Sequence, residues 1–153
     1  MIANSVKKYG DKDAMLIKKK KGEPYTHITY KQLDKDVEAI GTAFLDLNLS
    51  GKKIALISET RYEWYISYLG TVNGESVVVP IDKELPYEEI KYLLDFSECS
   101  AIVSSKKILK HKPQLLDCGI TCISMGDGEI TMESIMERGR KLLEDGDKTY
   151  ANA

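Results

Sequence analysis

Arg61 and Trp64 are two side chains whose types and spacing suit ligand contact, in a chain of 153 residues. They lie three positions apart, just after the apolar segment 54–57, at the start of a predicted helix. This position is the carboxyl end of a predicted strand, where open α/β folds bind their ligands. Asp82 follows a second apolar segment, 77–81, and is a further candidate to border the same crevice.

Each of these three residues also has a structural interpretation. Residue types and positions in the sequence favour it over a role in ligand contact. Trp64 belongs to an apolar helical stripe, and Arg61 is able to cap the helix or to pair with Glu59 or Glu63. Asp82 opens the loop before Pro86 and suits a turn. The alternative prediction is that Arg61, Trp64 and Asp82 form a wall on the substrate side of a site.

Two other segments resemble known binding or catalytic motifs but lack residues that those motifs require. Residues 126–131 read Gly-Asp-Gly-Glu-Ile-Thr, close to a dinucleotide fingerprint, but Thr131 replaces the third small residue and the two acids would repel phosphate. Residues 104–107 match Ser-x-x-Lys, yet Ser104 ends a strand and the partner motifs are missing. We predict a plain turn for the first motif and a coincidence for the second.

Metal and acid–base sites are not indicated. The three cysteines, Cys99, Cys118 and Cys122, lack the two-residue spacing of zinc motifs and are predicted to be reduced thiols. The two histidines, His27 and His111, are distant from them in sequence. The acidic clusters 34–36 and 88–89 lie on predicted solvated helix faces, so no pair of carboxylates with separated pKa values is expected. No catalytic residue and no metal ligand are predicted.

The segments that must position these residues alternate between strands and helices. A hairpin is predicted from residues 14–19 and 25–29, and a long helix from 30–48. Continuous apolar runs then predict strands covered on both faces, and helical stripes lie between them. The final helix is predicted at 132–144, with Gly139 allowing close approach to a neighbour, and residues 145–153 read as a polar tail without an apolar anchor. The four apolar runs are 54–57, 77–79, 101–103 and 120–123. The stripe of the first connecting helix is Trp64, Tyr65, Tyr68, Leu69 and Val72, and that of the second is Tyr87, Ile90, Leu93 and Leu94.

This alternation predicts an α/β fold: three layers around a mostly parallel sheet with βαβ crossovers, preceded by a small β-hairpin and a long helix. Composition agrees with a folded domain, because 42% of residues are apolar and 30% are charged. A net charge of −2 does not indicate nucleic-acid binding. No apolar run has the length of a membrane span, and the N-terminal residues lack the apolar core of a secretory signal. The lysine run 18–21 is read as a solvated turn because no amphipathic helix is predicted to carry it.

The order of these segments resembles the AMP-forming acyl-CoA synthetases of the adenylate-forming superfamily, most closely their long-chain fatty-acid branch. The similar segments are Ser-Glu-Thr-Arg-Tyr-Glu-Trp at 58–64, Gly-Glu-Ser-Val-Val-Val-Pro-Ile-Asp at 74–82 and Thr-Tyr-Lys-Gln-Leu at 29–33, together with residues 11–14 and 90–103. Thr60 departs from the family, whose members often carry Asn before the arginine. The resemblance covers residues 11–140, and its specificity comes from order and spacing.

The resemblance implies a parent enzyme that activates a carboxylic acid, expected to be a fatty acid, with ATP and Mg²⁺ and transfers it to coenzyme A. The family's phosphate loop and catalytic residues have no counterpart here, so residues 1–144 are expected to be an N-terminal subdomain of a truncated chain, inactive and without bound cofactor. Its expected partner is the remainder of its own polypeptide, with a tendency to self-associate through the face left open. A cytoplasmic location is expected.

Two other interpretations stay open. The chain is alternatively a stand-alone, non-catalytic α/β module that binds a partner through its strand ends, in which case no large apolar face should be exposed. A nucleotide-binding enzyme using residues 126–131 would show affinity for NAD or ATP, lost on Gly128→Val. The acyl substrate and the oligomeric state are not indicated by the sequence.

Overall fold

The computed structural model describes residues 2–153, which form six helices, six strands and one 3-10 turn. A two-stranded antiparallel hairpin, β1–β2, precedes a four-stranded parallel sheet with the order β4-β3-β5-β6. In chain order the elements are α1 (Ile2–Tyr9), β1 (Asp13–Ile17), β2 (Thr26–Thr29), α2 (Tyr30–Asp46), β3 (Lys53–Ile57), α3 (Tyr62–Asn73), β4 (Val77–Pro80), α4 (Tyr87–Phe96), β5 (Ala101–Ser104), α5 (Lys106–His111), the 3-10 turn Pro113–Leu116, β6 (Thr121–Ser124) and α6 (Met132–Glu144).

The predicted three-layer α/β architecture is confirmed. Alternate side chains of β3 enter two different cores: Ile54 and Leu56 pack with α2, α3 and α6, whereas Ala55 and Ile57 pack with α4 and α5. This alternation follows from the two-residue period of a strand. The sheet is therefore a middle layer with helices on both faces, and the hairpin and long helix precede it as expected.

The central strands and the edge strands differ in burial. All four residues of β5 are buried, as the continuous apolar runs predict. The prediction of cover on both faces is wrong for β4, where Val77 is half exposed, and for the start of β6, where Thr121 is exposed. Both strands lie at the edges of the sheet, where one side of the strand has no neighbouring strand.

Helices α2, α3 and α6 cover one face of the sheet and form the first helical layer. Small residues allow α3 and α6 to approach α2 closely. A Cβ on Gly139 of α6 would lie 2.1 Å from the backbone oxygen of Ala39, and a Cβ on Gly70 of α3 would lie 2.6 Å from the side chain of Ile40. Real Cβ atoms do not approach so closely, so only glycine fits at both crossings. The predicted close approach at Gly139 is confirmed.

Two sequence predictions about this layer are wrong. The buried face of α3 consists of Ile66, Ser67, Gly70 and Thr71 rather than the aromatic stripe, because small residues are needed against α2. The tail does have an apolar anchor: Tyr150 is buried and its ring covers Gly41 and Gly74. Helix α1, to which no element was assigned from the sequence, packs beside α2 without burying any residue fully.

Candidate functional site

The strand order places a topological switch point between β3 and β5. The chain leaves β3 for β4 on one side and then returns to β5 on the other side of β3. Crevices for ligands in open α/β sheets form at the carboxyl ends of the strands at such a point. The residues that follow the two strands here are Ser58 and Glu59 after β3, and Ser105 after β5.

A hydrogen bond closes this switch point. Ser105 Oγ donates to Glu59 Oε2 at 2.6 Å, and Ser104 Oγ donates to the backbone oxygen of Ile57 at 2.7 Å. Ser105 also accepts from the amide of Ile108, and so caps α5. The serines therefore join the two strand ends, and the expectation that the Ser-x-x-Lys motif is a coincidence agrees with the geometry.

Arg61 forms an ion cluster with two glutamates beside this crevice. Its guanidinium donates two hydrogen bonds to Glu63, at 2.7 and 3.0 Å, and lies 3.7 Å from Glu59. Burial is the largest single effect on Glu63 and would raise its pKa, but the hydrogen bonds from Arg61, a backbone hydrogen bond and the charge of Arg61 together hold that pKa below the ordinary value. Burial likewise would raise the pKa of Glu59, but the hydrogen bond from Ser105, a backbone hydrogen bond and the nearby positive charges together lower it. Both carboxylates therefore stay ionised near neutral pH, which makes them poor proton donors.

Glu59 and Arg61 border a groove between the hairpin and the start of α3. The groove has a volume of about 920 Å³ and is lined on the hairpin side by residues 15–19, Thr26 and Ile28. Glu59 also borders a smaller pocket of about 360 Å³, on the side of Lys107 and Lys112. Glu59 is thus the wall between the two cavities at the switch point.

The structure does not gather the three candidate wall residues into one cluster. Arg61 borders the groove, whereas Trp64 packs at the margin of the core, stacked on Tyr68 with ring centroids 5.4 Å apart. Asp82 is exposed and accepts the amide of Glu84 at 2.9 Å, as a turn residue does. Direct contacts therefore support the structural interpretation of each of the three residues.

Glu59 and Ser105 were not singled out together in the sequence. Glu59 lies two residues after β3 and Ser105 directly follows β5. Those positions are the signal that pairs them, but only if β3 and β5 are known to be neighbours. Residues 126–131 form the turn between β6 and α6, in which Lys106 pairs with Asp127 and Thr131 caps α6. The plain-turn interpretation of this motif agrees with the structure.

A second polar cluster ties the first helical layer together, away from the switch point. The buried carboxylate of Asp36 accepts hydrogen bonds from Tyr62 at 2.7 Å, from Gln32 at 3.0 Å and from Arg140 at 3.4 Å. Burial first, and then the bond to Asp36, raise the pKa of Tyr62 above its ordinary value. This cluster has all its partners satisfied and connects α2, α3 and α6, which is a structural role.

Metal binding has no visible support in the described part of the chain. Within residues 2–153, no group of three or more His, Cys, Asp or Glu side chains is placed to hold a metal ion. Nor is any helix in that range long and apolar enough to cross a membrane.

The open parallel sheet, with helices on both faces and a crevice at its switch point, defines an open α/β fold. The sequence matches the family model for AMP-binding enzymes over residues 2–147, and the chain belongs to that family. It is 28% identical over 138 residues to a long-chain-fatty-acid–CoA ligase of Cavia porcellus, covering 85% of this chain and 18% of that protein.

Solved structures agree on the fold. An anthranilate CoA ligase in complex with anthranoyl-AMP superposes with a TM-score of 0.78 at 16% identity, covering 90% of this chain and 27% of that one. A long-chain-fatty-acid–CoA ligase from Archaeoglobus fulgidus gives 0.77 at 15% identity, covering 89% and 28%. The chain spans less than a quarter of the length of the curated relatives it matches.

Proposed function

We propose that this chain is the N-terminal scaffold of an AMP-forming acyl-CoA synthetase that acts on long-chain fatty acids. The observation that carries the proposal is the family match over residues 2–147 in a chain covering under a quarter of its relatives. Long-chain ligases recur among those relatives, which supports the substrate class.

The proposed reaction has two steps. The carboxylate of the acid attacks the α-phosphorus of ATP, which forms an acyl-adenylate and releases pyrophosphate. The thiol of coenzyme A then attacks the acyl carbon and releases AMP. Charge on the phosphates in such steps is stabilised by cations and amide donors.

The part of this chain in the reaction is to support the site rather than to perform chemistry. The ion cluster of Arg61, Glu59 and Glu63 uses its charges internally and leaves no free nucleophile or base. We propose that Arg61, Trp64 and Asp82 border the acyl side of the complete site. The support is strongest for Arg61, which lines the groove; Trp64 and Asp82 rest on their places after β3 and β4.

We further propose that the remainder of the polypeptide packs on faces that are open here. Tyr92 and Phe96 of α4 are stacked on each other, 65% and 75% exposed. Exposed aromatic pairs of this kind favour burial against a partner, or self-association when the partner is missing.

The three cysteines are free thiols, typical of the cytoplasm, which is the proposed location.

Carboxylate-dependent exchange of labelled pyrophosphate into ATP tests this function. The product of the gene read beyond codon 153 should catalyse exchange with long-chain fatty acids and much less with benzoate or anthranilate. The 153-residue chain alone should give only the rate of a no-enzyme blank. Exchange by the short chain would overturn the scaffold assignment, and a preference for aromatic acids would overturn the substrate class.

Variants of the longer product test the wall. Arg61→Gln should raise the KM for the fatty acid severalfold with kcat nearly unchanged, because a wall residue contributes to binding rather than to the reacting atoms. Arg138→Gln is the matched control, since Arg138 also pairs with a carboxylate, Asp46 at 3.3 Å, but lies on α6. Equal effects of the two variants would contradict a wall role for Arg61.

A further inference from the structure

The tip of the hairpin carries an unbalanced positive charge. Lys18–Lys21 are four consecutive lysines at the end of β1, all exposed. Among residues 2–153, no carboxylate lies within ion-pairing distance of any of the four; the ion pairs that are present involve other lysines, arginines and His27. These charges are therefore available to an external partner.

The outward face of the same hairpin is partly apolar. Leu16 pairs with His27 across the strands, and the two-residue period of a strand places both on the opposite side from Met15 and Ile17. Lys18 follows β1 and Tyr25 precedes β2, and the two side chains are in contact, with Lys18 Nζ over the Tyr25 ring. Leu16 and Tyr25 are each 54% exposed. Lysines beside exposed aliphatic and aromatic groups are the combination found on surfaces that lie in a membrane interface. Leu16, Lys18–Lys21 and Tyr25 are called the lysine face below.

Charge is distributed very unevenly along the chain. Residues 1–31 contain eight lysines and three acids, a net charge of +5, whereas residues 32–153 carry −7. An anionic surface would attract the first region and repel the second. The molecule would thus be oriented with its hairpin toward such a surface.

We propose that the lysine face binds the surface of an anionic lipid bilayer. The lysines contact lipid phosphates, and Leu16 and Tyr25 enter the headgroup region. The prediction of a plain solvated turn assumed that only a helix supplies an apolar face beside the lysines; here the hairpin supplies it. Lipid is favoured over nucleic acid because residues 1–31 contain no arginine and because Lys18 Nζ covers one face of the Tyr25 ring, 5.4 Å from its centroid.

Co-sedimentation of the 153-residue chain with vesicles tests the proposal. Vesicles of about one third phosphatidylserine in phosphatidylcholine should bind the chain at about 0.1 M salt, and pure phosphatidylcholine should not. Each lysine near an anionic surface contributes roughly fivefold to partitioning. Replacing all four of Lys18–Lys21 by Gln should therefore lower binding by about 100-fold or more.

Two further variants separate lipid binding from general attraction of charge. A matched control replaces four exposed lysines elsewhere, Lys35, Lys106, Lys107 and Lys110, by Gln and should keep binding within about threefold. The double variant Leu16→Ser with Tyr25→Ser keeps every charge and should weaken vesicle binding about tenfold, while leaving any affinity for an oligonucleotide duplex unchanged.

Three results would overturn the proposal: no binding to anionic vesicles, equal loss in the hairpin variant and the lysine control, or tighter binding to the duplex than to the vesicles. The inference is independent of the proposed enzymatic function because vesicle binding is measured without catalysis. A chain that binds vesicles but belongs to an inactive longer product would refute only the synthetase assignment.

Discussion

The two faces of the central sheet are covered in physically different ways. On one face, α2, α3, α6 and Tyr150 meet through glycines and the hydrogen bonds of Asp36. On the other face, α4 and α5 cover the sheet with aliphatic side chains such as Ile90, Leu94 and Ile108. Both layers bury aliphatic side chains, but the first layer is specified in addition by close backbone contact and polar geometry, whereas the second depends on apolar volume.

This difference predicts opposite responses to substitution. A layer that depends on backbone contact should not tolerate one added carbon, because backbone atoms have little room to move. A layer that depends on aliphatic volume should tolerate a change of shape and respond mainly to lost volume. Substitutions at four positions test this contrast.

Gly139→Ala should be the most damaging change. Its new Cβ would lie 2.1 Å from the backbone oxygen of Ala39, so α6 would have to move away from α2. We expect a loss of about 3 kcal/mol or more in the free energy of unfolding, measured by urea titration. Glu137→Ala on the exposed side of the same helix is the control and should change stability by less than about 0.5 kcal/mol. A stable Gly139→Ala protein would show that the helices are not in close contact.

Leu94 of α4 should separate volume from shape on the second face. This side chain is fully buried, so Leu94→Ala should cost about 3 kcal/mol through lost transfer energy and a cavity. Leu94→Met keeps the volume and should cost less than about 1.5 kcal/mol. The same urea titration measures both. If Leu94→Met were as damaging as Leu94→Ala, the two layers would not differ in the way described.

Asp36→Ala should cost about 1–3 kcal/mol, because it removes a buried acceptor and leaves the partly buried hydroxyl of Tyr62 without its hydrogen bond. Combining it with Tyr62→Phe should restore part of the loss, since the unsatisfied hydroxyl is then removed. A double-mutant cycle of unfolding free energies measures the coupling between the two residues. Simple additivity of the two changes would exclude the hydrogen bond as a stabilising contact.

Arg61→Gln should have the smallest effect, about 0.5–1 kcal/mol, because its ion pairs are only partly buried. The pKa of Glu63 is depressed in the folded chain, so the paired carboxylate adds stability above its unfolded pKa of 4.5. That contribution disappears as the pH falls through the lower folded pKa. Unfolding curves of the two proteins should therefore differ at pH 7 and converge well below pH 4.5. A constant difference across that range would contradict the ion-pair account.

The second layer could be predicted from the sequence, whereas the first could only be predicted in part. The stripe of Ile90 and Leu94 correctly indicated the buried face of α4, because apolar periodicity reports apolar volume. The same reasoning selected the wrong face of α3, since Ser67, Gly70 and Thr71 carry no apolar signal. Tyr150 was missed for a related reason: its partners are glycines, which leave no pattern.

The contacts of the candidate site, like those of the first helical layer, could be predicted from the sequence only in part. The pairing of Arg61 with Glu59 and Glu63 was among the sequence interpretations because the residues are neighbours in the chain. The bond between Ser105 and Glu59 spans 46 positions and depends on β5 lying beside β3. A single sequence indicates strands but not their order, so this contact became visible only in the structure.

The most direct test of the account is the size of the native gene product, determined by reading the gene past codon 153 and measuring the mass of the protein in cell extract. A scaffold role predicts a polypeptide of roughly 500 residues, because the matched part of this chain makes up 27% of the anthranilate CoA ligase. It also predicts a Thr/Ser/Gly-rich segment ending in Pro-Lys beyond Ala153. A native product of 153 residues would contradict the scaffold assignment and favour the stand-alone binding module.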